Sequence, residues 1–127
     1  MDNMINNIKT YEQFNMNTYK ELEFICYNSC YDDSTDKKNQ HDLYNDLKQL
    51  QIDTNYSILP YMQDFSDDEH TELSLAVVIL DKSQETELEN LILDIADNND
   101  VKFDLYNEIP ITTVNGIIRG DYYNNII

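Results

Sequence analysis

Leu73-Ser74-Leu75-Ala76-Val77-Val78-Ile79-Leu80 is the stretch on which the fold turns. From Ala76 to Leu80 it is apolar without a break, the pattern of a central strand covered on both faces. It is far too short for the roughly 18 apolar residues of a membrane span. Downstream, Ser83 caps a helix that runs to about residue 96, with Leu88, Leu91, Ile92 and Ile95 as its buried stripe. Glu85, Glu87, Glu89 and Asp94 lie elsewhere on its circumference, and Asp97-Asn98-Asn99-Asp100 ends it. Val101 to Tyr106 then alternates as a strand, with Val101, Phe103 and Leu105 on one face. Pro110 interrupts it, Asn115-Gly116 signals a hairpin, and Ile117 and Ile118 begin a return strand before a tail at Tyr122 to Ile127.

Upstream of the central strand, residues 63–70 are acidic and turn-like. Residues 55–62 carry Tyr56, Ile58, Leu59 and Tyr61 around Pro60, which confines them to an edge strand or an extended loop. Residues 41–51 have helical spacing at Leu43, Leu47 and Leu50, whereas 32–40 contain no apolar residue and are expected to be a loop. Residues 1–31 are expected to be helical, because Ile8, Tyr11, Phe14, Tyr19, Leu22, Ile25 and Cys26 recur near a 3.6 period. Asn15 and Asn17 allow two helices there, the second capped by Asn17 or Thr18 with Glu21 in its first turn. The expected fold class is α+β: a small mixed sheet with packed helices and an N-terminal helical segment, in one domain spanning 1–127. Within it, 1–31 form the helical layer, 32–40 the loop and 41–127 the α/β core.

Charge is the most unusual feature. Asp and Glu number 25 against 8 Lys and Arg, for a formal net charge of −17. Solubility needs only about 2–8 units in a small domain, and self-repulsion opposes compaction. Such a surface is unsuited to nucleic acid, whose phosphates demand a basic face, and to anionic membranes. Its natural complement is a basic protein groove. General solvation, as in an acidic proteome, is the competing explanation. Hydrophobic residues at 41%, with 10 Tyr and 4 Phe, set the chain apart from a disordered acidic tail. Asn, Ile, Tyr and Lys usage suggests an AT-rich genome of a low-GC bacterium, its phage or a large virus. Met1 to Lys9 lack the apolar region of a signal peptide, and two cysteines fit a reducing compartment, so a cytoplasmic location is expected, in the host cell if viral.

Catalytic and metal chemistry find little purchase. Cys26, Cys30, His41 and His70 could supply four zinc ligands, but the histidines are too widely separated for the usual structural sites. The acidic runs lack the central glycine of an EF-hand, because the chain has only Gly116 and Gly120. Phosphate-cradling loops fail on the same ground, and no nucleophile motif occurs. No enzyme activity, metal or cofactor is expected. An enzyme would need a concave pocket gathering carboxylates around His41 or His70.

The acids fall in groups: Asp32-Asp33-Asp36, Asp42-Asp46, Asp64-Asp67-Asp68-Glu69-Glu72, Glu85-Glu87-Glu89, and Asp94-Asp97-Asp100-Asp104. Adjacent carboxylates on helix and loop surfaces can stand in for rows of phosphates. Tyr31, Tyr44, Tyr56 and Tyr61 are interleaved with them and are either partner anchors or ordinary packing residues. The expected partner-binding set is Asp64, Asp67, Asp68, Glu69, Glu72, Glu85, Glu87, Glu89, Asp32, Asp33, Asp36 and Tyr61. In composition the chain resembles the acidic DNA-mimic inhibitors of phages and mobile elements, the anti-CRISPR and antirestriction proteins. That resemblance implies a non-enzymatic protein–protein interaction in which the basic groove of a nuclease or another nucleic-acid-binding protein of the host is occupied. A toxin-neutralising immunity protein would share the acidity.

Ile109-Pro110-Ile111-Thr112-Thr113-Val114-Asn115-Gly116-Ile117-Ile118-Arg119 resembles the closing motif of adenylate-forming ligases, [LI]-P-x-T-x-x-G-K-I-x-R. The order of elements from about 42 to 108 is similar to that family's small C-terminal subdomain. Asn115-Gly116 replaces its Gly-Lys, so the catalytic lysine is missing, and the likeness implies an accessory fold without ligase activity.

Overall fold

The structure, a computed structural model, describes residues 18–29, 34–64 and 70–120. Its centre is the expected strand, here β3 (His70–Ile79). It is flanked by β2 (Ile58–Asp64) on one side and β1 (Thr18–Ser29) on the other, with β4 (Leu105–Pro110) beyond β1. Helix α1 (Ser34–Asp53) joins β1 to β2. A 3₁₀ turn (Lys82–Gln84) leads into α2 (Glu85–Asn98), which joins β3 to β4. Helix α3 (Ile111–Arg119) follows β4 directly. The order βαββαβ with strands arranged 2-3-1-4 is the split, ferredoxin-like topology. It confirms the α+β class, although every strand pair is antiparallel and the expected mixed sheet is not formed.

Register assigns each side chain to a face. Leu22 lies opposite Val77 and Phe24 opposite Leu75, while Ile58, Pro60 and Met62 pair with Ile79, Val77 and Leu75. These residues share one face, which α1 covers with Leu43, Tyr44, Leu47 and Leu50, and α2 with Leu88, Ile92 and Ala96. The opposite face carries Leu59, Val78, Tyr19 and Ile109, and on it α3 lays Val114 and Ile117. β3 is therefore covered on both sides, as its unbroken apolar run requires.

Five further expectations need correction. Residues 18–29 are a strand, not part of a helical layer, and Met1 to Asn17 lie outside the described residues. Tyr19, Leu22 and Ile25 imitate a helical period, but Leu22 and Phe24 go into the core while Tyr19, Glu21 and Glu23 point the other way, a period of two. Residues 34–40 belong to α1, not to a loop. Gln40 heads the buried stripe of that helix, and its amide donates to the Phe24 carbonyl at 3.1 Å, so a polar residue occupies a core position. The helix after β3 is preceded by a cap at Asp81 rather than at Ser83. The Asp81 carboxylate accepts from the Ser83 backbone N–H at 3.0 Å. Finally, Asn115-Gly116 is helical. The amphipathic run Val114, Ile117 buries its apolar side on the sheet, Gly116 is buried as well, and Gly120 ends the helix at φ 84°. The strand expected from Val101 begins only at Leu105, because Val101 and Phe103 turn into the core, Phe103 standing edge-on to Phe24 at 6.0 Å.

Candidate functional site

α2 presents its acids in two unlike settings. At its start, Glu85 and Glu87 lie in the first turn, where the positive end of the helix dipole favours them. At its end no basic residue occupies the last turn, yet Asp94 and Asp97 are exposed there. The chain then leaves through a Schellman-type cap: the Val101 N–H donates to the Ala96 carbonyl at 2.9 Å and the Asp100 N–H to that of Asp97 at 3.1 Å. That cap puts Asp100 in the left-handed region, at φ 57°, a position where glycine is the residue of lowest cost. Asn99 ties this pole to α1, its amide donating to the Asp46 carboxylate at 2.9 Å and to the Ile95 carbonyl at 3.0 Å. Asp46, Asp94, Asp97 and Asp100 are thus held around one helix end whose own carbonyls already make it negative. None of them is in an ion pair among the described residues.

Beside this pole runs an open groove of roughly 720 Å³. Leu93, Val101 and Phe103 supply apolar walls, Asp94, Asp97 and Asp100 the acidic rim, with Lys102 the one cation in its lining. An apolar floor under a carboxylate rim suits the aliphatic stem and charged head of Arg or Lys. Along the exposed side of α2, Leu91 is 41% exposed between Glu87 and Asp94.

A second polar group sits on the α3 side of the sheet. Glu21 is 4% exposed and accepts from the Tyr61 hydroxyl and from Asn107 Nδ2 at 3.1 Å. Glu23, two residues on, accepts from the same Asn107 nitrogen at 2.8 Å and from Ser74 Oγ at 3.1 Å. Burial pushes the Glu21 carboxyl above its ordinary pKa, the two hydrogen bonds offset this only in part, and Glu23 adds to the rise. On the other face Lys20 binds Glu89 at 2.7 Å and lies 4.2 Å above the Tyr106 ring, and the Tyr106 hydroxyl donates to Glu89. The bond to Glu89 raises the Lys20 pKa. Burial alone would raise Glu89, but Lys20 and Tyr106 outweigh it and hold that carboxyl below the usual range.

Asp32, Asp33, Asp67, Asp68 and Glu69 lie outside the described residues. Asp36 falls in α1, Asp64 at the end of β2 and Glu72 in β3, with their side chains also outside the description. Glu85, Glu87 and Glu89 come together on α2, but Glu89 is occupied by Lys20 and Tyr106, leaving Glu87 fully outward. Tyr61 is half-buried and turned toward Glu21, so it is a packing residue of the sheet rather than an outward anchor. Of the zinc-ligand types, His41 alone has a described side chain, and no cluster of three such groups occurs among the described residues. No described helix is long and apolar enough to cross a membrane. Gly116, at the lysine position of the ligase-like motif, is buried on α3, and Asn115, at its glycine position, is exposed. Glu23 and Asn107 escaped the sequence reading, which placed Glu21 in the first turn of a helix, and the only signal for the two acids was the period-two alternation of β1. Comparison with known protein families, curated proteins and solved structures finds no match to this chain.

Proposed function

We propose that this protein is a non-enzymatic acidic binding protein that inhibits a nucleic-acid-binding partner by occupying its basic surface. One observation carries the proposal: carboxylates stand at the C-terminal pole of α2, where backbone and dipole both disfavour them. Asp100 occupies a glycine position. Asp94 and Asp97 lie at the negative end of the helix without a cation partner. Each such acid costs a few tenths to about 1 kcal/mol. A stability sacrifice repeated at one place is the pattern of a binding surface.

Two further features agree. Readers of single-stranded RNA on this type of sheet use aromatic residues to stack bases. Here the central strands carry Glu21, Glu23, Ser74 and Ala76 on the face away from the main core, and Tyr19 on that face packs into the cluster under α3. Charge spacing narrows the type of mimicry. At 1.5 Å per residue α2 is about 21 Å long and carries five acids, Glu85, Glu87, Glu89, Asp94 and Asp97, or one per about 4 Å with Glu89 already paired, whereas duplex DNA carries one charge per about 1.7 Å of axis. α2 therefore acts as a patch for individual Arg and Lys side chains rather than as a copy of a continuous phosphate row.

The test is affinity capture from the native host at about 50 mM and about 500 mM salt, since screening lengthens the contrast between surface charge and buried contact. Wild-type protein is expected to retain a basic protein at low salt, to release it at high salt and to yield it to added duplex DNA. A variant carrying D94N, D97N and D100G is expected to lose it. Equal retention of the partner by that folded variant would remove the α2 pole from the interface.

A further inference from the structure

Among the described residues the sheet has two edges, β2 and β4, and they are defended differently. β2 places Pro60 in its ladder, and Ile58, Pro60 and Met62 are buried under α1. β4 has no buried residue. Leu105 and Tyr106 are 40% and 44% exposed, and Pro comes only at the last position, Pro110. Open edges are normally blunted by Lys, by Pro, by a bulge or by a covering element. β4 instead carries Glu108, preceded by Asp104, whose carboxylate accepts from the Ile25 N–H. Glu89 lies against Tyr106 on one side, and Asn107 joins Glu21 and Glu23 on the other. Two cations adjoin this edge, Lys20, which Glu89 holds, and Lys82, which with Lys20 and Glu85 lines the shallow pocket beside Tyr106 and Glu108, while Lys102 lies just upstream.

This arrangement discriminates between occupants. A second copy of the chain, itself at −17, would bring Glu108 toward like charge. A basic strand would not. The two sides of β4 also differ. Tyr106 and Glu108 share the side that faces Glu89, whereas Leu105, Asn107 and Ile109 share the other. A strand added about 4.8 Å away sets its alternate side chains beside these two rows. From these features we infer that β4 receives an extended segment of the basic partner as a fifth strand. Its Arg or Lys residues lie beside Tyr106 and Glu108, and its intervening apolar residues lie beside Leu105 and Ile109. The inference rests on the acidic-binding reading and gives it a mode: main-chain hydrogen bonds supply affinity, and alternation of basic and apolar residues supplies selectivity.

The test titrates ¹⁵N-labelled protein with three acetylated peptides of about ten residues, a strand's length. One alternates Arg and Val, the second is the same with its Val amides N-methylated, and the third alternates Arg and Gly. The first is expected to shift the amides of residues 105–110 and slow their exchange. N-methylation is expected to weaken binding about tenfold, the loss of one or two net hydrogen bonds. E108K, an exposed change, is expected to weaken the first peptide by a similar factor with an unchanged melting temperature. Equal binding of the methylated peptide, or amide shifts that spare 105–110, overturns the edge inference; continued binding of the Arg–Gly peptide then leaves the acidic-binding reading standing. Failure of all three peptides to bind at low salt defeats both.

Discussion

Replacing Glu21 by Gln is expected to stabilise the protein at neutral pH, and the size of the gain follows from its surroundings. The carboxyl is almost fully buried, its hydrogen-bond donors Tyr61 and Asn107 are neutral, and its nearest charge is the like-charged Glu23. Holding a charge there costs several kcal/mol of lost hydration. Hydrogen bonds to a charged group return roughly 1.5–3 kcal/mol each, against about 1 kcal/mol for neutral pairs. The Gln carbonyl oxygen can keep the bond from Asn107 Nδ2, which stays on Glu23 as well, while the Gln amide donates to the Tyr61 hydroxyl oxygen once that hydroxyl rotates. The balance is a gain of about 1–2 kcal/mol, or about 4–8 °C in melting temperature for a chain of this length. The pH dependence has a definite sign. Because the folded pKa lies above the unfolded one, the folded state binds the extra proton between the two, so stability falls as pH rises through that window. The advantage of Gln is therefore full above the folded pKa and shrinks toward zero as pH drops to the ordinary carboxylate value. Urea unfolding of both proteins at pH 8 and at pH 5 measures it. A lower stability of E21Q at pH 8, or a difference that does not narrow on acidification, would refute the claim that burial dominates this carboxylate.

Three other changes test separate parts of the structure. Asn55 and Tyr56 have φ 57° and 64° in a turn closed by Ser57 N–H donating to the Thr54 carbonyl, so Y56G should stabilise by about 1 kcal/mol in urea denaturation; a destabilised variant would mean that the exposed ring makes up for the backbone cost. Ile117→Ala removes a buried side chain from the small cluster beneath α3 and should cost about 2–3 kcal/mol. A loss under about 0.5 kcal/mol, typical of a surface change, would show α3 detached from the sheet. The Lys20–Glu89 pair, partly exposed on both sides, should show a coupling of about 0.2–1 kcal/mol in a double-mutant cycle on stability and should weaken with salt. Coupling of about 3 kcal/mol, the scale of a buried pair, would contradict its surface character.

Much of the fold was legible where burial is one-sided or total. β3 declared itself by an unbroken apolar run, α2 by Leu88 and Ile92, and β2 by the proline that only an edge tolerates. Legibility failed where a side chain contradicted its type. Gln40 sits in the core through one hydrogen bond, so the first turns of α1 read as loop. β1 hides because Tyr19, Leu22 and Ile25 fit a helix as well as a strand, and only its neighbours, β3 and β4, decide between them. The turn signals misled in both directions. Asn115-Gly116, the favoured dipeptide of a tight turn, lies inside α3 because its flanking apolar residues have a sheet to cover. Asn55-Tyr56, which carries no glycine, makes the left-handed turn. The acidic groups were readable as composition but not as a site. Their roles depend on which helix end they reach and on partners remote in sequence, such as Asn99 for Asp46 and Lys20 for Glu89.

In the proposed function, acids at the end of α2 are kept for a basic partner at the expense of stability. The most direct measurement is on D100G alone, its melting temperature and its affinity for the captured partner taken side by side. Glycine relieves the left-handed backbone and removes one carboxylate from the pole, so the account predicts a protein that melts higher and binds more weakly. A variant that melts higher and binds with undiminished affinity would contradict it.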